Sequence, residues 1–262
     1  MLSIKGIEKS FGGLTALRDI TFDVKKGDIK ALIGPNGAGK TTLLNIVSGI
    51  HPPDKGEIFF LGEKIVRLAP AKIARKGISR TFQHVELFAN MTVIENIMVG
   101  RYAKTRAGFF SSGLRLPSIL EEEKGILRKS EEILDYINLA QRKDELASNL
   151  PIGEQRILEI GRALATEPKL ILLDEPAAGL NIRETRDLGE IIRKIREELL
   201  ITIVLVEHDM DLVMRISDSI TVLNFGEVIA EGTPLEIQKN PDVIVAYLGE
   251  EEEVKRGYNA GP

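Results

Sequence analysis

The feature that most constrains the fold is a glycine-rich loop between a short apolar strand and a helix. Ile29 to Ile33 is an apolar run typical of a buried strand, and positions 34–41 follow it with the pattern GxxxxGK[ST]. The next apolar residues have helical spacing: Leu43, Leu44, Ile46 and Val47. A strand, a glycine-rich loop and a helix in this order predict a phosphate-binding loop.

Each residue type in this loop has a physical reason. Glycines let successive backbone N–H groups converge on phosphate oxygens, and the helix N-terminus adds the positive end of its dipole. Lys40 is expected to reach the β- and γ-phosphates, and the Thr41 hydroxyl to ligate Mg²⁺. A plain glycine-rich turn is the alternative. The candidate nucleotide-binding residues here are Gly34, Pro35, Asn36, Gly37, Ala38, Gly39, Lys40, Thr41 and Thr42.

Two carboxylates follow a second apolar run, residues 170–173. Open α/β sheets bind ligands at the carboxyl ends of their strands. Asp174 is therefore expected to hold Mg²⁺, commonly through water, and Glu175 to orient or deprotonate the attacking water. The alternative is a solvated loop acid beside a helix cap. ATP and Mg²⁺ are the predicted cofactors.

The rest of the chain predicts an α/β fold: a P-loop NTPase with a RecA-like parallel sheet core. Residues 2–24 alternate apolar and polar side chains in short segments, which predicts an N-terminal antiparallel β subdomain. Residues 121–139 have the spacing of an amphipathic helix, which predicts an inserted α-helical subdomain. The predicted boundaries are 1–90 and 156–235 for the core with the β subdomain, 91–155 for the helical insertion, and 236–262 for a C-terminal helix and tail.

Composition excludes several classes of function. The chain has no cysteine, so disulfides, thiol catalysis and cysteine metal sites are excluded. The net charge of -4 argues against a broad basic surface, and no nucleic-acid partner is expected. No stretch approaches the roughly 18 apolar residues that span a bilayer. Any membrane role is therefore expected to be peripheral.

A further set of residues resembles the ATPase subunit of the ABC superfamily. In order, these are the aromatic Phe11, Gln83 after a strand, LPIGEQ at 150–155, LILLDEP, AGLN and His208. The resemblance implies that Phe11 stacks on adenine, and that Gln83 ligates Mg²⁺ and reports the nucleotide state to a membrane partner. It implies that His208 contacts the γ-phosphate, joining Lys40 and Glu175 as a catalytic candidate. Plainer interpretations are a core phenylalanine, a surface amide and a helix-cap histidine.

The LPIGEQ segment departs from the commonest form in that superfamily, LSGGQ. Pro151, Ile152 and Glu154 stand where serine, glycine and glutamine are usual. In that superfamily, the hydroxyl of the usual serine in one subunit hydrogen-bonds the γ-phosphate held by the other subunit. Pro151 has neither a hydroxyl nor an N–H with which to do so. Gly153 and the following helix N-terminus still offer donors, so a working but altered composite site is expected. Pro151, Gly153, Glu154 and Gln155 are its candidate nucleotide-binding residues.

Several longer strings resemble the ATPases of branched-chain amino-acid importers: FGGLTAL, RTFQ, LPIGEQR, DEPAAGLN, VEHDM, and GTPLEI with NPDVIVAYLGE. This implies a subunit that powers uptake through separate permeases from the cytoplasmic face of the membrane. It implies pairing with a second, paralogous ATPase or head to tail with a copy, and an indirect periplasmic or extracellular substrate-binding protein. Importers of urea, other amides or other amino acids share much of these sequence strings, so they are alternatives. A soluble non-transport ABC ATPase is a further alternative.

Two expectations concern contacts with partners. The permeases are expected on the helical insertion and the loop around Gln83, with Phe109 and Phe110 as exposed apolar candidates. Asn181 stands where the superfamily usually has aspartate, which leaves the contact across the dimer open at that position.

Overall fold

The computed structural model describes residues 1–102 and 117–247, which form two sheets and a helical layer. The strands are β1 (Leu2–Phe11), β2 (Leu14–Val24), β3 (Ile29–Ile33), β4 (Lys55–Phe60), β5 (Glu63–Lys64), β6 (Ile78–Arg80), β7 (Leu170–Asp174), β8 (Thr202–Val206), β9 (Ser219–Asn224) and β10 (Glu227–Gly232). The helices are α1 (Lys40–Val47), α2 (Pro70–Lys76), α3 (Val93–Tyr102), α4 (Pro117–Tyr136), α5 (Ile152–Leu164), α6 (Ile182–Leu199), α7 (Met210–Ile216) and α8 (Pro234–Gln238).

The central sheet has the order β10-β9-β3-β8-β7-β6. Its strands run parallel except for β10, which pairs antiparallel with β9 as a hairpin at the edge. Every residue of β3, β7 and β8 is buried, as expected for parallel strands covered on both faces. The predicted parallel core is confirmed, and the carboxyl ends of these three strands meet at one edge.

The N-terminal sheet is antiparallel, in the order β2-β1-β4-β5. The short segments expected in residues 2–24 are in fact two long strands. Register shifts between Ile4 and Ile7, and again near Lys9, interrupt the alternation of side chains along β1. The inner face of this sheet shares one apolar core with α1, so the β subdomain is packed directly behind the glycine-rich loop.

The predicted helical insertion consists of α3 and α4, packed against α5. Its core includes Ile97, Leu134, Ile137 and Leu158. The amphipathic helix expected over 121–139 begins earlier, at Pro117, and ends at Tyr136. The expected boundary between residues 155 and 156 falls inside α5, so the LPIGEQ segment and the helix behind it form one continuous element.

Some expectations fall outside the described residues, including the exposed candidates Phe109 and Phe110 and the tail from residue 250. Within the described part, residues 241–247 are helical, as expected for a C-terminal helix. Among the helices of residues 1–102 and 117–247, none combines the length and the apolar character that a membrane crossing demands.

Candidate nucleotide-binding site

The glycine-rich loop needs its glycines for close approach as well as for backbone conformation. Gly34 and Gly39 have φ values of 148° and 101°. A Cβ atom at Gly34 would lie 2.0 Å from the Leu223 carbonyl oxygen, and one at Gly39 would lie 2.7 Å from that of Ala16. Other residues are excluded at both positions, because the loop is pressed against its neighbouring strands. Helix α1 begins immediately after the loop, at Lys40.

The Lys40 side chain folds back over this loop. Its ammonium donates to the Gly34 carbonyl at 2.7 Å and to the Pro35 carbonyl at 2.9 Å. The residue is only 5% exposed. A lysine ammonium is a compact charge with rotatable donors, which suits it to a phosphate oxygen brought to the same place.

Asp174 lies at the carboxyl end of β7 and is 1% exposed. Its Oδ2 accepts a hydrogen bond from Arg80 Nη2 at 2.8 Å, while Arg80 Nη1 donates to Asn45 Oδ1 at 2.7 Å and to Ser48 Oγ at 3.0 Å. Burial raises the pKa of Asp174, and the Arg80 guanidinium opposes that shift. Sequence reasoning missed Arg80, although a charged residue at the end of a core strand indicates a buried partner.

The residues present fit a magnesium ion. Asp174 Oδ1 is buried and has no hydrogen-bond partner within residues 1–102 and 117–247, and a bound ion or water usually satisfies such an oxygen. Thr41 and Gln83 line the neighbouring cleft with hydroxyl and amide oxygens, the ligand type of hard cations. Within residues 1–102 and 117–247, there is no cluster of three His, Asp or Glu side chains able to hold a metal.

Glu175 is the point at which three predicted residues meet. Its Oε2 accepts a hydrogen bond from Gln83 Nε2 at 2.9 Å, and its Oε1 lies 3.1 Å from His208 Nε2. The backbone of Glu175 has a φ of 49°, an unusual value for a residue other than glycine, and its N–H donates to the Val206 carbonyl at 2.8 Å. The fold thus holds a strained residue at the end of the strand, with its carboxylate between the loops of Gln83 and His208.

Glu207 fixes the loop that carries His208, and sequence reasoning missed it. The residue is 3% exposed and accepts hydrogen bonds from three backbone N–H groups: Ala177 at 2.7 Å, His208 at 2.9 Å and Asp209 at 3.3 Å. Burial raises the pKa of Glu207, and these three bonds oppose the shift. One carboxylate therefore ties the segment after Glu175 to the segment after β8.

A cleft of about 760 Å³ joins these groups to a second, aromatic end. Phe11 is 45% exposed there, so the core interpretation of this residue is wrong. Its ring meets the His51 ring edge-on at 5.7 Å. Arg18 and Phe225 line the same cleft, and sequence reasoning missed both. The cleft is lined by Phe11, Gly13, Leu14, Thr15, Ala16, Arg18, Asn36, Gly37, Ala38, Gly39, Lys40, Thr41, Thr42, Gln83, Glu175, His208 and Phe225.

The segment 150–155, here called the signature segment, does not line the cleft of its own chain. Pro151 is the exposed N-cap residue of α5. Glu154 Oε2 lies 2.8 Å from Arg142 Nε, and Gln155 Nε2 donates to the Leu150 carbonyl at 2.8 Å. Gly153 is buried, and a Cβ atom there would lie 3.2 Å from the Glu184 side chain. The start of α5 is thus exposed at Pro151 and Ile152, while Gly153 lies against α6.

Asn181 caps the N-terminus of α6. Its side-chain oxygen accepts hydrogen bonds from the backbone N–H groups of Arg183 at 3.0 Å and Glu184 at 3.1 Å, and Glu184 Oε2 accepts from the Asn181 N–H at 2.9 Å. This is a capping box, which the spacing Asn-x-x-Glu predicts but which sequence reasoning missed.

His208 is not a helix cap. Helix α7 is capped by the next residue, Asp209, whose side chain accepts a hydrogen bond from the Leu212 N–H at 2.9 Å.

Comparison with known proteins places this architecture among characterised families. The sequence model described as ABC transporter matches residues 17–178, and that described as branched-chain amino acid ATP-binding cassette transporter matches residues 227–253. The high-affinity branched-chain amino acid transport ATP-binding protein LivG of Escherichia coli is 46% identical over 95% of this chain and 98% of its own. The corresponding protein BraF of Pseudomonas aeruginosa is 44% identical over the same shares.

Solved structures give the same family. The ADP conformation of MJ1267, an ATP-binding cassette of an ABC transporter, has a TM-score of 0.82 and 32% identity, covering 95% of this chain and 98% of its own. The cassette MJ0796, in a dimeric post-hydrolysis state bound to ADP and Pi, has a TM-score of 0.75 and 26% identity, covering 89% of this chain and 99% of its own.

Proposed function

The chain belongs to the ABC transporter family as an ATP-binding and ATP-hydrolysing subunit, and from that membership we propose that it powers the import of branched-chain amino acids from the cytoplasmic face of the membrane. The named relatives support this cargo, since both LivG and BraF are branched-chain amino acid transport ATP-binding proteins. The match over residues 227–253 supports it independently at the C-terminal end.

The observation that carries the proposed mechanism is the meeting of Gln83 and His208 on Glu175, beside the loop of Lys40. Lys40 and the loop N–H groups hold the β- and γ-phosphates of ATP, and Phe11 stacks on the adenine at the other end of the cleft. Thr41, Gln83 and, through water, Asp174 are suited to hold Mg²⁺, whose charge counters that developing on the phosphates.

Glu175 serves as the base that orients or deprotonates the attacking water. Both of its oxygens are engaged here, Oε2 by Gln83 at 2.9 Å and Oε1 by His208 at 3.1 Å. Each carboxylate oxygen can accept a second hydrogen bond, so the attacking water can bind beside either contact. When His208 turns its Nε2 to the γ-phosphate, Oε1 is left to the attacking water alone.

The signature segment supports pairing with a second ATPase. Helix α5 begins at the exposed residues Pro151 and Ile152, and its first-turn residues do not line the cleft of their own chain. In a head-to-tail pair they meet the γ-phosphate held by the other subunit, either a copy of this chain or a paralogous ATPase. A related cassette has been solved as a dimer. The altered residues, above all Pro151, leave this half of the composite site with backbone donors but without a serine hydroxyl.

A groove beside the Gln83 loop, residues 81–88, suits the membrane permeases. It holds about 460 Å³ between the helical insertion and the core, and its walls include Phe82 and Phe88, which are 41% and 49% exposed. Phe82 precedes Gln83 directly, so a permease segment seated there is one residue from the amide that contacts Glu175. The cargo-binding protein acts through the permeases and needs no contact with this chain.

The test of the mechanism is Glu175→Gln, measured for ATP binding, hydrolysis and mass in solution, with Glu190→Gln on the exposed face of α6 as the matched control. We expect Glu175→Gln to bind ATP, to lose hydrolysis and to convert from monomer to dimer with ATP. Binding without dimerisation would assign the second half-site to a paralogue. Failure to bind ATP would overturn the assignment of the cleft.

The cargo is tested separately, by uptake of labelled leucine and labelled urea in cells that express the assembled transporter with either the native chain or Lys40→Ala. We expect leucine uptake to depend on Lys40 and urea uptake to be unaffected by it. The reverse dependence would assign the transporter to amides.

A further inference from the structure

Two buried side chains of α5 hold the Gln83 loop by its backbone. The first is Arg156, which directly follows the signature segment and is 6% exposed. Its Nη2 donates to the Gln83 carbonyl at 2.8 Å, and its Nη1 donates to the Phe82 carbonyl at 3.3 Å. Residues 81–88 form neither helix nor strand. At the two ends of this stretch the backbone is bonded to backbone, since the Thr81 N–H donates to the Leu172 carbonyl and the Phe88 carbonyl accepts from the Met91 N–H, each at 3.0 Å. Between these ends, Arg156 supplies the donors for the carbonyls of residues 82 and 83.

The second side chain is Glu159, one helical turn further along α5 and 3% exposed. Its Oε1 accepts a hydrogen bond from the Glu86 N–H at 3.3 Å, and its Oε2 lies 3.7 Å from Arg156 Nη1. Burial raises the pKa of Glu159, while the Glu86 N–H and the Arg156 charge oppose that shift. The two side chains thus hold the loop at two places, Arg156 at the carbonyls of residues 82 and 83 and Glu159 at the N–H of residue 86.

The side chain of Gln83 points the other way, to Glu175 Oε2 at 2.9 Å. The backbone of Gln83 is therefore held by α5 while its amide contacts the carboxylate at the end of β7. At its own N-terminus, α5 begins with the signature segment. A single helix thus connects the donors that face a partner subunit to the residue that touches Glu175.

The geometry points to Arg156 and Glu159 as positioning residues that fasten the Gln83 loop to α5. When the signature segment binds the nucleotide of a partner subunit, α5 thereby changes the position of Gln83 at the nucleotide of its own chain. This inference rests on the proposed roles of the signature segment and of Glu175. A guanidinium is needed because its planar fork donates to two carbonyls at once, whereas a lysine ammonium is a point charge on a flexible stem. A role limited to filling the core makes no such demand.

The structural test is amide hydrogen exchange of the full chain over residues 82–88, in the absence of nucleotide. Arg156→Met removes both donors while keeping an unbranched apolar side chain, and we expect exchange in this loop to rise at least tenfold. Arg156→Lys should give an intermediate value. The matched control is Arg101→Met, because Arg101 Nη1 donates to the Ala165 carbonyl at 3.2 Å, at the opposite end of α5. We expect that control to leave exchange in residues 82–88 unchanged.

The functional readout is ATP hydrolysis by the same variants at varied ATP. We expect Arg156→Met to lower kcat at least fivefold with KM for ATP within twofold of the native value, since the glycine-rich loop is untouched. Arg156→Lys should restore part of kcat, and Arg101→Met should change neither constant.

Native exchange in residues 82–88 of Arg156→Met would overturn the proposal, as would an equal loss of kcat in Arg101→Met. The exchange measurement needs neither ATP nor a partner subunit. It therefore keeps its meaning if the assignments of Glu175 or the signature segment fail, and those failures appear separately in the Glu175→Gln experiment.

Discussion

The nucleotide cleft and the signature segment are built in opposite ways. At the phosphate end of the cleft, the charged groups are buried and held by the core: Lys40 is 5% exposed and Asp174 is 1% exposed. In the signature segment, by contrast, Ile152 is 41% exposed and Pro151 offers no side-chain hydrogen bond to the helix that it begins. The cleft is formed within one chain, whereas the proposed role of the signature segment requires a second subunit.

This difference separates what folding stabilises from what assembly stabilises. Buried, paired charges belong to a site that the fold forms in advance, because an unpaired charge in the interior would destabilise the chain. Outward backbone donors at a helix N-terminus cost nothing while water satisfies them, and they form an anion site when a phosphate arrives. The two regions should therefore respond differently to mutation.

The largest expected effect comes from inactivating each region in turn. Lys40→Ala removes the charge at the phosphates, and Ile152→Glu places a carboxylate at the outward end of α5, where it repels a partner's γ-phosphate. Each variant alone should lose ATP hydrolysis by roughly a hundred- to a thousandfold. In an equal mixture with random pairing, about half of the dimers are mixed, and each of these contains one site with both halves intact. The mixture should therefore recover about a quarter of the native rate.

Steady-state hydrolysis of the separate and mixed proteins decides between the outcomes. Two inactive proteins that stay inactive when mixed would mean that copies of this chain do not complete each other, and that a paralogous ATPase supplies the missing half. Native activity in Ile152→Glu would show that the signature segment has no part in hydrolysis.

The next effect compares one ion pair from each region. Arg80 and Asp174 pair at 2.8 Å with side chains 6% and 1% exposed, whereas Arg142 and Glu154 pair at 2.8 Å with side chains 38% and 30% exposed. Arg80→Met leaves a buried carboxylate without its partner and should lower the free energy of unfolding by about 3 kcal/mol. Arg142→Met should lower it by less than about 1 kcal/mol. Urea unfolding of the two variants measures both free energies of unfolding. Equal losses would contradict the proposal that the buried pair stabilises the fold more than the exposed pair does.

The same division explains what could be predicted from the sequence. The proposed phosphate end of the cleft is made of consecutive residues, from Gly34 to Thr41 and at Asp174 and Glu175, so local patterns in the sequence single these residues out. Gln83 and His208 come from distant loops, and only the resemblance to a family singled them out. Arg80 and Glu207 went unnoticed because Asp174 and Ala177, their partners from distant parts of the sequence, are brought to them by the parallel pairing of strands, which no local pattern shows.

The strands and helices of the fold were likewise predictable where a local sequence pattern indicates them. The buried strands β3, β7 and β8 were predicted because uninterrupted apolar runs mark strands covered on both faces. The long strand β1 was not, because register shifts break its alternation. The capping box of Asn181 was within reach of sequence analysis, since its Asn-x-x-Glu spacing is a local pattern.

A smaller effect is expected from Pro151→Ser, which gives the signature segment the hydroxyl that it lacks. One added hydrogen bond to a phosphate is worth about 1 to 1.5 kcal/mol, and a dimer of two copies gains one at each of its two sites. ATP-dependent dimers in the Glu175→Gln background should therefore tighten roughly thirty- to a hundred-and-fiftyfold. Pro151→Ala is the matched control, since it removes the ring without adding a hydroxyl. Dimer dissociation constants measure the effect. Equal tightening by alanine would attribute it to the loss of proline, and unchanged turnover of Pro151→Ser in the reconstituted transporter would count against an altered composite site.

The capping box at Asn181 should contribute a comparable or slightly smaller amount. Asn181→Ala removes the acceptor for the N–H groups of Arg183 and Glu184 and should lower the free energy of unfolding by about 1 kcal/mol. Asn181→Asp keeps an acceptor and should be close to native. Because Glu184 also packs against Gly153, the alanine variant tests whether the signature segment depends on this cap. Thermal unfolding compares the variants. A native melting temperature for Asn181→Ala would show that the capping box does not stabilise the fold.

The smallest effect is expected at the aromatic end of the cleft, which is more exposed than the phosphate end. Asp54 accepts hydrogen bonds there from Lys9 Nζ at 2.9 Å and from the Ser10 N–H at 2.7 Å, at the end of the strand that carries Phe11. The Lys9 bond and then the Ser10 bond lower the pKa of Asp54 below its ordinary value of 3.8.

A lowered pKa in the folded state means that the unfolded chain binds the proton more tightly. The stabilisation from Asp54 is therefore fully present above about pH 3.8 and is lost as the pH falls through the lowered pKa of the folded state. The difference in melting temperature between the native chain and Asp54→Asn should be small and constant from pH 7 to pH 5, and should shrink below pH 4. A difference that grew on acidification would contradict the sign of this shift. A large difference at pH 7 would show that the aromatic end is held as firmly as the phosphate end.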